Sequence, residues 1–355
     1  MPKRVTLKEV AARASVSFQT VSKVITKKVR VSEETEQRIW DAVRDLQYTP
    51  SYTAQSLRSQ RSKTIGYSWE PSPPDQTNPI LDEFLQSMFR TAEKYGYYLL
   101  CFPHHIEVQK QLTIYREMID AGRVDAFVLS IINYNDPCVN CLIERDFPFV
   151  GFGHLDDPCG FPYIDVDGGL GLHMAVDHLM TLGHRKIAAL AWPSDSRVGN
   201  NRMDGYYAAM LEAGIQVPSE WVERGEGTYD VGYRSMMNLL ALDEAIRPTA
   251  VIAMNDLMAI GAMAAIQQSG KQPGKDIGVI GFDDSPTARY LNPPLTSLRQ
   301  PISTIGTNLM ERLITSLETG KYPDPMCELV PPQLVLREST VGYEAGQPSP
   351  WKGGT

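Results

Sequence analysis

The residues Phe18, Gln19 and Lys23 have the chemistry of a surface that reads base pairs. Within SFQTVSKVI, residues 17–25, helical spacing puts Val21, Val24 and Ile25 on one apolar stripe and Phe18, Gln19, Ser22 and Lys23 on the opposite side, with Ser17 as N-cap. Gln can bond two atoms of an adenine edge, Lys reaches guanine acceptors, and an apolar ring meets a thymine methyl. Taken alone, these nine residues also fit a short helix at the edge of a core.

The flanking elements decide between the two. Thr6-Leu7-Lys8-Glu9 has the form of a capping box, and Leu7, Val10, Ala11 and Ala14 repeat at helical spacing behind it. Ser15-Val16-Ser17 leaves room only for a tight turn with Val16 as a plug, so two short helices meet steeply, as in a helix-turn-helix. Ser32 then precedes Glu33 and Glu34, and Ile39, Ala42, Val43 and Leu46 form the buried stripe of a third helix that Tyr48-Thr49-Pro50 ends. Residues 1–49 are therefore expected to be an all-α DNA-binding headpiece.

The run from Val5 to Ser59, with its VTLKEVA opening, TVSKV core, VSEET helix start and Pro50–Leu57 segment, resembles the headpiece of the lactose/galactose-repressor family of bacterial transcription regulators. The resemblance implies that Phe18, Gln19 and Lys23 read bases. It also implies that Thr6, Ser17, Thr20, Ser22, Ser32 and Tyr48 hold phosphates, contacts that set register without reading sequence. Residues 50–62 become a hinge helix and linker, with Ala54 and Leu57 entering the minor groove beside their counterparts from a second chain and kinking the duplex. Ser51 and Lys23 depart from the family's usual Asn and Arg, and a Lys reads guanine less bidentately.

Charge is partitioned along the chain. Residues 1–62 hold 12 Lys and Arg against 6 Asp and Glu, whereas the remainder holds 22 against 36. A basic head on an acidic body can bind phosphates while the body is repelled from the duplex. A length of 355 residues allows two or three domains. Neither a signal peptide nor a membrane-length apolar run is read, so a cytoplasmic protein is expected. Cysteines 101, 138, 141, 159 and 327 suit a reduced compartment, and the single Cys138-x-x-Cys141 is read as structural rather than as a metal or redox site. No cofactor is expected.

From Lys63 onward, apolar runs of strand length alternate with amphipathic helical stretches, and a second such series starts near Tyr163. This predicts an α/β core of two doubly wound parallel-sheet subdomains, about 63–163 plus 296–322 and 164–295 plus 323–341, with a tail at 342–355 lacking fixed structure. Ligands of such sheets sit beyond the carboxyl ends of the strands. The family resemblance continues through HLMTLGHRKIAAL, AVIAMNDLMAIGAMAAI and DIGVIGFDDS, and implies a periplasmic-binding-protein-like core in which Arg202, Asn255 and Asp283 bind effector hydroxyls. Trp69, Trp192 and Tyr229 are candidates for an aromatic face against a sugar, and Asp136 for a further contact. The Pro-rich run after Glu70 departs from relatives and makes first-half contacts harder to transfer.

The reading is a homodimeric repressor of carbohydrate-use genes that binds a pseudo-palindromic operator and answers to a small sugar. A purine or a partner protein as effector is the alternative within the family. A secreted sugar receptor would leave the basic head unexplained. An enzyme would need a nucleophile-elbow, P-loop or metal motif, and none is read here.

Overall fold

The computed structural model describes residues 5–25, 29–48, 61–70, 78–155 and 160–341. They form two compact units that divide at Lys63 and Thr64 and are treated separately below. The expected hinge residues Ala54 and Leu57, the tail at 342–355 and most of the Pro-rich run lie outside the described residues.

In the first unit, α1 (Leu7–Ala14), α2 (Phe18–Ile25) and α3 (Glu33–Asp45) enclose a small core of Val10, Ala14, Val21, Val24, Ile39 and Ala42, with Val16 packed against it. The capping box forms in both directions, since the Thr6 hydroxyl accepts from the Glu9 amide while the Thr6 amide donates to Glu9 Oε2 at 2.6 Å. Ser17 Oγ accepts from the Thr20 amide at 3.0 Å and so starts α2. Ser32 occupies the N-cap position of α3, but its hydroxyl meets Thr35 Oγ1 at 2.9 Å and makes no bond to the helix backbone. The Arg13–Asp45 pair at 2.7 Å ties α1 to α3 in solvent, which is worth about 1 kcal/mol at most.

The second unit holds two six-stranded sheets among the described residues. The first contains β1 (Thr64–Trp69), β2 (Tyr98–Pro103), β3 (Ala126–Leu129), β4 (Phe149–Phe152), β5 (Tyr163–Val166) and β11 (Cys327–Val330), in the order β11-β5-β4-β3-β1-β2 and parallel throughout. The second contains β6 (Ile187–Ala191), β7 (Val222–Arg224), β8 (Ala250–Ala253), β9 (Gly278–Asp283), β10 (Thr296–Arg299) and β12 (Gln333–Val335), in the order β12-β10-β9-β8-β6-β7, with only β12 antiparallel. Strands such as Ile187–Ala191 and Ala250–Ala253 are buried along their whole length because helices cover both faces.

The helices of the first lobe are α4 (Pro79–Lys94), α5 (Val108–Asp120), α6 (Pro137–Glu144) and, after a crossover, α11 (Ile302–Thr319), which packs on α4. Those of the second are α7 (Gly168–Thr181), α8 (Arg197–Glu212), α9 (Tyr229–Leu240) and α10 (Asp256–Gln268). The lobe boundaries fall a few residues from the expected ones. Strand β10 pairs with β9, so residues 296–299 stay in the second lobe; β5 and β11 pair with each other in the first. The chain therefore crosses after β5, after β10 and after β11, because sheet pairing, not the onset of the next apolar run, decides membership.

Candidate functional site

On the headpiece, α2 presents Phe18, 44% exposed, together with exposed Gln19 and Lys23. Thr6, Ser17 and Ser32 are exposed and Thr20 half-buried. Ser22 does not share that outer face. It is 3% exposed, because the packed stripe of so short a helix is wide enough to take in a small serine beside Val21. Tyr48 is also largely buried, its ring packed in the headpiece core.

In the second unit a cleft of about 520 Å³ opens where the carboxyl ends of the two sheets face each other. The second lobe supplies Trp192 after β6, Gly227 and Thr228 after β7, Asn255 after β8, Asp283 at the end of β9, and Arg202 from α8. The first lobe supplies a mostly apolar wall that includes Ile80, Ile132 and Phe152, with Glu70, Asn78, Ser130 and Asp165 as polar members. Of the residues singled out from sequence, Trp192, Arg202, Asn255 and Asp283 come together here. The others do not line the cleft. Trp69 packs against the core, the Tyr229 ring stacks on Tyr233 with 6.4 Å between centroids, and Asp136 caps α6 by accepting from the Cys138 and Val139 amides.

Arg202 is the buried centre of the polar side. It is 5% exposed, donates from Nη1 to the Met254 carbonyl, and lies 4.7 Å from the Trp192 ring centre and 3.6 Å from that of Phe282. Among the described residues its Nε has no partner, and neither does Trp192 Nε1. Burial pulls the guanidinium down to about 10, against the opposing charges of Asp283 and Asp165. A buried donor without an acceptor costs free energy that an incoming acceptor would recover.

Asn255 is half committed. As N-cap of α10 its Oδ1 accepts from Met258 at 2.8 Å, and its Nδ2 donates to the Gly227 carbonyl at 2.8 Å, leaving one hydrogen and one lone pair. Asp283 adopts φ 119°, accepts from Gln300 Nε2 at 2.7 Å through Oδ1, and leaves its second oxygen to the cleft. Burial, then the charge of Asp256, holds its carboxyl well above the usual carboxylate range, while Arg202 and Gln300 pull the other way. Asp256 is a brace instead of a reader: both oxygens are taken, by Ser297 Oγ at 2.5 Å and the Ser285 amide at 2.6 Å.

Gln300, Ser130 and Phe152 were not anticipated, yet each lies within a residue of a strand's carboxyl end or at it, the position that signals a cleft residue in this kind of sheet. Cys138 and Cys141 are buried free thiols on α6, and burial pushes Cys138 up to about 12. No cluster of three metal-binding side chains and no helix long and apolar enough to cross a membrane occurs among the described residues.

Residues 6–51 match the bacterial regulatory proteins of the lacI family, and residues 176–340 match the periplasmic binding protein-like domain. The HTH-type transcriptional repressor PurR of Escherichia fergusonii is 34% identical over 336 residues, 94% of this chain and 96% of that protein. A regulatory protein of the LacI family from Chloroflexus aggregans is 47% identical, with a TM-score of 0.74 over 78% of this chain and 98% of that one. The Lac repressor dimer bound to operator and the anti-inducer ONPF superposes with a TM-score of 0.84 at 29% identity, over 96% of this chain and 100% of that one. The complex of the transcriptional regulator CelR with cellobiose gives 0.70 at 30% identity, over 95% and 100%.

Proposed function

The chain belongs to the lacI family of bacterial regulatory proteins, a DNA-binding transcriptional repressor, and from that premise we propose that an uncharged sugar in the cleft sets its operator affinity. The observation that carries this reading is Arg202, a nearly buried guanidinium that lines the cleft, stacks on aromatic rings and has an Nε without a partner among the described residues. A sugar supplies what is missing: oxygens for Arg202 and Trp192 Nε1, hydroxyls for Asn255 and Asp283, and a C–H face for the apolar wall. The cellobiose complex of CelR supports the class of ligand.

Charge narrows the class. Among the described lining residues, the carboxyl groups of Glu70, Asp165, Glu226 and Asp256, and that of Asp283 whose ionised form burial disfavours, face one cation, Arg202. The runs 71–77 and 156–159, outside the described residues, contain no Lys or Arg. A phosphate or uronate brought into this cleft would be desolvated against like charge.

The protein works as a cytoplasmic homodimer. Two reading helices, each with Phe18, Gln19 and Lys23 toward the bases, take the half-sites of a pseudo-palindromic operator, and paired hinges with Ala54 and Leu57 bend its centre. Occupancy of the cleft changes the lobe arrangement and thereby the hinge spacing, a coupling that needs only about 1–3 kcal/mol per site. The operator-bound Lac repressor dimer, similar along nearly the whole chain, supports this assembly.

A thermal-shift panel of the full chain with cellobiose, glucose, glucose 6-phosphate, galacturonate and hypoxanthine tests the reading. Stabilisation by a neutral sugar with no response to the anionic ones is expected. Stabilisation by hypoxanthine alone would replace the sugar with a purine, and a response to glucose 6-phosphate would overturn the charge argument while leaving the sugar.

A further inference from the structure

One helical turn ties the two lobes together beside the cleft. Arg197, the first residue of α8 in the second lobe, is 3% exposed and reaches into the first. Its Nη2 lies 3.2 Å from Asp165 Oδ2 on β5, and its Nη1 lies 3.3 Å from His154 Nε2, just past β4. His154 Nδ1 in turn is 2.8 Å from the same Asp165 oxygen. The ring of three closes through the imidazole, whose Nδ1 faces the Asp165 acceptor and whose Nε2 faces the Arg197 donor. Two more bonds cross in the same place. The Arg197 amide donates to Asn133 Oδ1 at 3.1 Å, and Asn200 Nδ2 donates to the Tyr134 hydroxyl at 3.1 Å.

The arrangement is expensive to open. Asp165 is 8% exposed, so any motion that draws α8 from β5 leaves a buried guanidinium and a buried carboxylate unanswered, which is far costlier than losing a surface pair. Asp165 also lines the cleft, while its Oδ1 accepts from the Val166 amide at 2.8 Å. The tie therefore has one foot in the ligand site. Local spacing along the chain holds no sign of it, since Arg197 is 32 residues from Asp165 and 43 from His154.

We propose that Arg197 is a positioning residue that, through Asp165 and His154, clamps the first lobe to the second and sets how far the cleft opens. This rests on the reading that the effector acts by changing the lobe arrangement, but the clamp exists without ligand and is tested without one. Lobe motions of this kind turn on a few contacts at element ends. A guanidinium holds an imidazole and a carboxylate on two nitrogens of one rigid planar fork, whereas an ammonium must draw both acceptors to a single nitrogen on a flexible stem.

Hydrogen exchange on the full-length protein, without ligand, decides it. In Arg197→Met, amides at the facing edges of both lobes, 130–134, 153–155 and 196–200, together with those of the crossovers at 166–169 and at Val330 and Gln333, should exchange about tenfold faster, while β1 and β8 keep their protection. Asp165→Asn should reproduce the pattern more weakly, and Arg197→Lys should fall between Arg197→Met and the parent. Three results would overturn the clamp: faster exchange confined to the first turn of α8, loss of protection in β1 and β8 as well, or an Arg197→Lys variant identical to the parent.

Discussion

The guanidinium carbon of Arg202 lies 3.6 Å from the centre of the Phe282 ring. With Trp192 at 4.7 Å and the Met254 carbonyl on Nη1, the planar group is held in one orientation before any ligand arrives. Preorganisation of this kind raises affinity by lowering the cost of ordering. Arg202→Lys keeps a charge but loses the plane, so affinity for the stabilising sugar should fall by about thirtyfold, near 2 kcal/mol, in titration calorimetry. Affinity within about threefold of the parent would mean that stacking is incidental.

Gly227 marks a close approach. A Cβ there would stand 2.6 Å from Asn255 Nδ2, which is held on the Gly227 carbonyl, and 2.9 Å from Trp192 Nε1. Gly227→Ala must displace one of them, at a cost of about 1–3 kcal/mol. The expected outcome is about a tenfold loss of sugar affinity with operator binding in the absence of sugar preserved. Equal weakening of both would point to general damage.

The buried Asp283 carboxyl predicts a stability that depends on pH. Its folded-state pKa lies above the unfolded one, so between the two values the folded chain keeps a proton that the unfolded chain has released, and stability falls as pH rises through that window. Asp283→Asn removes the charge that the folded cleft resists. It should melt about 2–4 °C above the parent near pH 9, with the gap closing near pH 5, by differential scanning calorimetry. A variant that melts below the parent near pH 9 would show the carboxylate to be net stabilising, and sugar affinity should drop in either case.

On the headpiece, exposure separates readers from scaffold. Gln19→Ala should leave the melting temperature unchanged and relax discrimination at one base pair by about 1–3 kcal/mol in a competition binding assay. Ser22, buried, should behave in the opposite way: Ser22→Ala shifts headpiece stability and leaves operator affinity within about twofold where the headpiece stays folded. A loss of affinity of about fivefold or more, uniform across DNA sequences and with headpiece stability unchanged, would restore it to the phosphate contacts.

Local signals were legible and non-local ones were not. The Thr6–Glu9 capping box, the Ser17 cap and the α/β alternation follow from spacing over a few residues, and the structure shows each of them. Strand β10 could not be assigned to its lobe from spacing, because that depends on its register against β9. Trp69, Tyr229 and Asp136 sit at element ends as Trp192 does, but pattern alone cannot say which element ends meet across the cleft. Asn255 shows the reverse difficulty, since a capping side chain and a ligand contact share one sequence signal. The Cys138 and Cys141 pair has a plain cause: three-residue spacing puts both on the buried face of α6.

The central claim is operator binding under control of a sugar. Its most direct test is selection of genomic fragments by the purified protein at fixed, near-physiological salt, with and without the sugar that stabilises it, since affinities have meaning only at a stated salt. The account predicts enrichment of a shared palindrome upstream of sugar-transport and glycoside-degrading genes, with its yield changed about tenfold or more by the sugar. A palindrome whose recovery is indifferent to every stabilising sugar, or fragments with no shared palindrome, would contradict it.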